Sequence, residues 1–127
     1  MAWRWANLPT MRMRSWSGEK AMVKRGEIWL VNLDPTVGSE IQKTRPCVVI
    51  SPPEMHDHLR TAIVAPMTTG SRAAPFRIAV RHGGKSGLIL LDQIRAVDKA
   101  RLVKRSGAVG AAVLKATLAA LAEVFAE

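Results

Sequence analysis

Short apolar runs recur roughly every ten residues along this chain, each stopped by proline or glycine, and a single Ala/Leu-rich segment with helical spacing follows them. That cadence leaves little room for anything but short strands closed by one helix. Residues 26–33 alternate, with Ile28, Leu30 and Asn32 on one side and Trp29, Val31 and Leu33 on the other, and Asp34-Pro35 ends the run. A polar loop occupies 36–44. Residues 46–50 are nearly all apolar, as a central strand buried on both faces requires. Residues 53–59 suit one helical turn or an ordered loop. A third strand is expected over 61–65, stopped by Pro66.

Further along, 76–81 alternates apolar and basic residues, placing Arg77 and Arg81 toward water, and Gly83-Gly84-Lys85 reads as a turn. Residues 87–91 form a buried strand that continues through 93–97. A helical turn over 99–102 and a short strand over 103–106 follow. From about Gly110 to Phe125, residues Val113, Leu114, Thr117, Leu118, Leu121, Val124 and Phe125 share one helical face with Val109 leading in. The expected architecture is mainly β, a small and strongly bent antiparallel sheet or barrel with a C-terminal helix.

Charge narrows the partners. The chain of 127 residues carries 19 Lys+Arg against 10 Asp+Glu, a net +9. Such an excess on one small domain points to a polyanion, nucleic acid first, an anionic membrane surface or an acidic protein second. Residues 1–21 hold Trp3, Trp5 and Trp16, sustain no periodicity and read as an unstructured extension ahead of Met22. They supply four basic residues and one acid, so 22–127 keeps 15 against 9, a net +6, and the basic character belongs to the domain. No apolar run approaches the ~20 residues of a membrane helix. The lone Cys47 has no internal disulfide partner and sits in an apolar run, where it reads as an inert core residue.

Few catalytic sets are present. His56 and His58 are two residues apart and do not share a helical face, His82 is far along the chain, and no phosphate-binding glycine loop has the right spacing, so neither metal nor cofactor is expected. Arg45 stands where the polar loop meets the second strand, and Thr68 lies just beyond the expected end of the third. If those strands pair antiparallel, the two become neighbours. A guanidinium fork and a hydroxyl at one spot suit a phosphate whose charge grows as phosphorus becomes five-coordinate. RNA carries its own nucleophile in the 2′-OH, so a ribonuclease without metal needs only to orient it, stabilise the phosphorane and move protons. On the residues alone, Arg45 reads equally as a surface ion pair and Thr68 as a turn cap.

Five segments together resemble the MazF/PemK family of toxins from bacterial toxin–antitoxin modules. They are Arg25-Gly26-Glu27-Ile28-Trp29, the run 33–40 from Leu33-Asp34-Pro35 to Gly38-Ser39-Glu40, the run 43–51 from Lys43-Thr44-Arg45-Pro46 to Ile50-Ser51, the run 63–69 from Ile63-Val64-Ala65 to Pro66-Met67-Thr68-Thr69, and the run 90–102 around Asp92-Gln93-Ile94-Arg95. The resemblance implies an SH3-like β-barrel of the CcdB/MazF type, a homodimer, and a cytoplasmic endoribonuclease that needs no metal and leaves a 2′,3′-cyclic phosphate and a 5′-hydroxyl on single-stranded RNA. By the same resemblance Arg45 and Thr68 are catalytic, Val37, Ser39, Glu40, Gln42 and Gln93 contact RNA, and Arg95 lies near that surface. It also implies an antitoxin whose acidic C-terminal tail covers the RNA groove. Arginine is a permanent cation, which favours charge stabilisation by Arg45 and leaves the 2′-OH proton to Glu40, His56, His58 or water. The alternative is a non-enzymatic CcdB-like inhibitor of DNA gyrase on the same fold. A nucleic-acid-binding module without catalysis is a third reading.

Overall fold

The structure, a computed structural model, describes residues 23–34, Gly38 and 43–127. The expectation for residues 1–21 lies outside the described residues. Among those described, seven strands form one curled antiparallel sheet, a half-barrel with a single long helix against it. Their order is β4 (Arg77–His82), β5 (Lys85–Leu90), β3 (Thr61–Thr68), β2 (Thr44–Val49), β1 (Glu27–Asn32) and β7 (Leu102–Ala108), with β6 (Arg95–Asp98) also paired to β3. A short helix α1 (Pro53–His56) precedes β3, and α2 (Ala111–Val124) closes the chain.

The period-2 pattern places the core. Trp29, Val31, Leu33, Cys47 and Val49 pack with Val64, Val97 and Leu102 on one side of the sheet. Ile28, Val48, Ala65, Met67, Val80 and Ile89 face the other side, where Leu121 of α2 joins them. β1 and β2 are therefore buried on both faces, as their apolar runs require. Each fully buried Val, Leu or Ile contributes roughly 1.5–3 kcal/mol from removal of its surface from water. The helix face is covered unevenly. Thr117 and Leu121 are buried, Leu114 and Leu118 half-buried, and Val124 and Phe125 remain exposed.

Two expectations fail for the same reason. β3 does not stop at Pro66 but runs through it to Thr68. Along one side β3 pairs with β6 as far as Val64 and with β5 from Met67 onward. Pro66 lies in the gap between those two partners, where a missing N–H costs no ladder bond on that side. Nor does the strand over 87–91 continue through 93–97. A 3-10 turn over Leu91–Gln93 separates β5 from β6. With Thr68 opposite Leu88, an unbroken strand would set Val64 opposite Asp92, yet Val64 faces Arg95, three residues on. The turn absorbs that offset, so one chain segment serves both halves of β3.

The β4–β5 hairpin turns on Gly83 and Gly84, with φ of 59° and 76°, the paired left-handed conformation that a two-residue turn between His82 and Lys85 demands. No helix among the described residues is long and apolar enough to cross a membrane.

Candidate active site

Strand pairing builds the site. β2 and β3 are antiparallel with Cys47 opposite Pro66 and Val48 opposite Ala65. Continuing that register by two residues sets Arg45 across from Thr68. The ladder ends at Cys47 and Pro66, and the strand ends beyond it border a mouth. A cleft of about 370 Å³ occupies that mouth, and its lining includes Arg45, Met67, Thr68, Thr69, His82 and Lys85. The two residues singled out from the sequence thus share one cavity, Arg45 exposed and Thr68 half-buried.

The Thr68 hydroxyl accepts a hydrogen bond from the Gly70 N–H at 3.2 Å. A hydroxyl has one proton and two lone pairs, so Thr68 keeps its O–H for a ligand oxygen while Gly70 fixes its rotamer. Gly87 of β5 forms the floor. A Cβ there would lie 2.7 Å from the Thr68 carbonyl oxygen, so this residue must be glycine for the backbones to approach as they do.

The cleft floor and hairpin supply what sequence reasoning missed. His82, at the end of β4, lines the cavity, and its Nε2 lies 2.8 Å from Ser106 Oγ of β7. Lys85 stands directly across the hairpin from His82. No motif marked either residue. Only the strand alternation of 76–81 and the Gly-Gly turn could have indicated that His82 and Lys85 share a hairpin end.

Gln93 and Arg95 do not line the cleft. Gln93 ends the 3-10 turn after Asp92, whose carboxylate receives both Nε (3.2 Å) and Nη2 (3.0 Å) of Arg77. That fork holds the Asp92 carboxyl below the usual carboxylate range. Arg77 is therefore an anchored side chain and not the free solvent-facing group its alternation suggests. Arg95 donates to the Leu33 carbonyl at 3.2 Å, and Arg101 donates to the carbonyls of Asn32 and Asp34. Lys43 N–H donates to Asp34 Oδ1 at 2.8 Å. These contacts tie down the chain on either side of residues 35–42; Val37, Ser39, Glu40 and Gln42 lie outside the described residues.

The other histidine candidates separate. His56 is fully buried, with Nε2 2.6 Å from the Val23 carbonyl and Nδ1 2.9 Å from Ser51 Oγ. A carbonyl only accepts, so Nε2 carries the proton, and the Nδ1 lone pair takes the Ser51 hydroxyl. His56 is a structural tie and has no lone pair to offer RNA. His58 is exposed and is not part of the cleft lining. Cys47 is buried, and loss of water pushes its thiol up to about 12, which fits the inert core residue expected. Among the described residues, no group of three or more His, Cys, Asp or Glu side chains converges in a way that could hold a metal ion.

Comparison with known proteins places the chain in a family. The family described as PemK-like, MazF-like toxin of type II toxin-antitoxin system matches residues 24–125. Endoribonuclease PemK of Escherichia coli is 37% identical over 111 residues, covering 83% of this chain and 84% of its own length. Endoribonuclease EndoA of Bacillus subtilis is 38% identical over 90 residues, covering 66% and 78%. The crystal structure of MazF from Deinococcus radiodurans superposes with a TM-score of 0.72 at 25% identity, over 80% of this chain and 94% of that one. A mycobacterial endoribonuclease in complex with its cognate antitoxin shares the fold, with a TM-score of 0.67 at 22% identity over 80% and 92%. From Lys24 to Phe125, then, this chain belongs to the PemK-like, MazF-like toxin family of type II toxin–antitoxin systems.

Proposed function

We propose that the protein is the toxin of a toxin–antitoxin module and an endoribonuclease that cuts single-stranded RNA in the Arg45–Thr68 cleft without a metal ion. One observation supports this above the others: a guanidinium and a hydroxyl with a free proton line one cavity at the end of the β2–β3 ladder. Arg45 grips the non-bridging phosphate oxygens with its donor fork and stabilises the charge that accumulates at phosphorus. Thr68 donates to the same oxygens. The substrate's 2′-OH attacks, the 2′-oxygen–phosphorus bond forms, and the bond to the 5′-oxygen breaks. The products are a 2′,3′-cyclic phosphate and a 5′-hydroxyl. Val37, Ser39, Glu40 and Gln42 contact the RNA from their loop, whose root Arg95 fixes, and Gln93 adds a contact beyond the cleft.

The partners follow from charge and from exposed apolar surface. An antitoxin with an acidic C-terminal tail lies along the basic cleft, where Arg45 and Lys85 attract it. Two copies pair as a homodimer, supported by the apolar surface around Phe76, Val124 and Phe125. The working compartment is the cytoplasm. A CcdB-like action on gyrase has no support beyond the shared fold, and the curated relatives are named endoribonucleases.

Purified protein incubated with a defined single-stranded RNA pool in excess EDTA tests the reading. Cleavage that persists in EDTA, yields cyclic-phosphate ends and vanishes in Arg45→Ala supports it. Thr68→Ala is expected to lose roughly 10²–10³-fold, about 2.7–4 kcal/mol, as removal of an oxyanion donor does. Intact RNA beside trapped gyrase, or unchanged cleavage in both variants, refutes it.

A further inference from the structure

We propose that His82 is a further catalytic residue, the general base that takes the 2′-OH proton. The proposal rests on the RNA-cleaving reading of the Arg45–Thr68 cleft and adds the proton acceptor that neither Arg45 nor Thr68 supplies. The described lining includes two cations, Arg45 and Lys85, two hydroxyls, Thr68 and Thr69, and otherwise apolar residues and glycines apart from His82. No carboxylate is among them. Imidazole is the side chain whose ordinary titration range spans neutral pH, so it is the lining group suited to accept a proton and release it each turnover.

β7 prepares that imidazole twice. Ser106 Oγ stands 2.8 Å from Nε2. In the tautomer whose Nε2–H donates to this oxygen, Nδ1 keeps a lone pair, and the bond favours this orientation of the ring. The next residue, Gly107, sets no side chain against the ring. A Cβ there would lie 3.2 Å from His82 Cε1 and 3.7 Å from Nδ1 and would crowd the ring. With Ser106 on Nε2 and no side chain at position 107, Nδ1 has no hydrogen-bond partner among the described residues. The charged groups sharing the cleft with His82 are Arg45 from β2 and Lys85 from β5. The step balances without a co-reactant. Nδ1 takes the 2′-OH proton, the 2′-oxygen bonds to phosphorus as the 5′-oxygen departs, and the 5′-oxygen gains a proton from water. His82 then returns its proton to solvent.

Single-turnover cleavage of a short RNA across roughly pH 5–8 tests this, with binding of the same oligonucleotide carrying 2′-deoxyribose at the cleaved position measured in parallel. His82→Asn and His82→Ala are expected to lose roughly 10²–10⁴-fold in rate and the rising acid limb of the pH profile, while binding the uncleavable RNA within a few-fold of the parent. Added imidazole is expected to restore part of the rate to His82→Ala. Ser106→Ala should slow cleavage less and keep the limb. An unchanged rate and limb in His82→Asn overturns the proposal, as does a limb that disappears in Glu40→Gln but not in His82→Asn. If both histidine variants lose their cooperative thermal transition, His82 is a structural tie and the proposal also fails. Failure of the underlying reading is separate: in that case Arg45→Ala cuts RNA as the parent does.

Discussion

Replacing Gly87 by alanine should disable the enzyme by moving Thr68, although the new methyl touches neither phosphate nor Arg45. The Cβ would sit 2.7 Å from the Thr68 carbonyl oxygen and 3.3 Å from its carbonyl carbon, whereas ordinary contact begins at 3.4 Å. Both atoms are backbone, so no rotamer change relieves the overlap, and one strand must retreat by about 0.7 Å. Overpacking of this kind costs roughly 1–3 kcal/mol of stability. Its effect on rate is larger. Misplacing a catalytic group by about 1 Å costs on the order of 10²-fold, and Thr68 is carried directly by the displaced backbone. The assay is single-turnover RNA cleavage by Gly87→Ala beside the parent, with the denaturation midpoint followed in parallel. A Thr68→Ala background isolates the cause, because there Gly87→Ala has no hydroxyl left to displace. Cleavage by Gly87→Ala at the parental rate would refute the argument. So would an equal loss in both backgrounds, which would mark a general distortion and not a displaced hydroxyl.

Ser51→Ala removes the partner of His56 Nδ1 and of the Ile63 N–H, which donates to Ser51 Oγ at 3.0 Å. It should destabilise the fold by roughly 1–3 kcal/mol in denaturant unfolding, and a midpoint shift within error would remove the Ser51–His56 tie from the account. Cys47 should resist iodoacetamide at pH 8 in the native state, because burial pushes its thiol up to about 12. Labelling should then track unfolding in added denaturant, and rapid stoichiometric labelling without denaturant would contradict the buried position. Because the raised thiol keeps its proton in the fold while an unfolded thiol ionises near pH 9, stability should fall as pH rises from 9 toward 12, and Cys47→Ala should lose less there. Asp92 titrates in the opposite sense. Arg77 lowers its carboxyl, so its contribution is present above the unfolded carboxylate range near pH 4 and is lost as pH falls through the folded value. The midpoint of Asp92→Asn should therefore converge with the parent's at acid pH, and a gap that widens on acidification would refute this.

Much of the fold was legible because it rests on local pattern. The all-apolar stretch from Cys47 to Ile50 announces a strand covered on both faces, and the alternation around Trp29 divides its neighbours between two cores. Arg45 and Thr68 were legible as a pair only conditionally, since their meeting depended on antiparallel pairing that the sequence suggests but does not state. Pro66 misled, because local rules read proline as a stop and cannot know that β3 changes partners there. The interruption at Leu91–Gln93 was hidden for the same reason, since its cause is a register offset against a strand more than twenty residues away.

His82 shows the limit most clearly. Alone in the sequence it is one histidine beside a glycine turn. Its place in the cleft comes from β5 bringing the hairpin against β3, and from β7, across the sheet, supplying Ser106 and Gly107. Chain composition and periodicity determined that the protein would be a basic, bent sheet with a closing helix, because burial of apolar side chains acts residue by residue. Which polar groups converge was decided by strand register, a property of pairs of segments that exists only once the chain has folded.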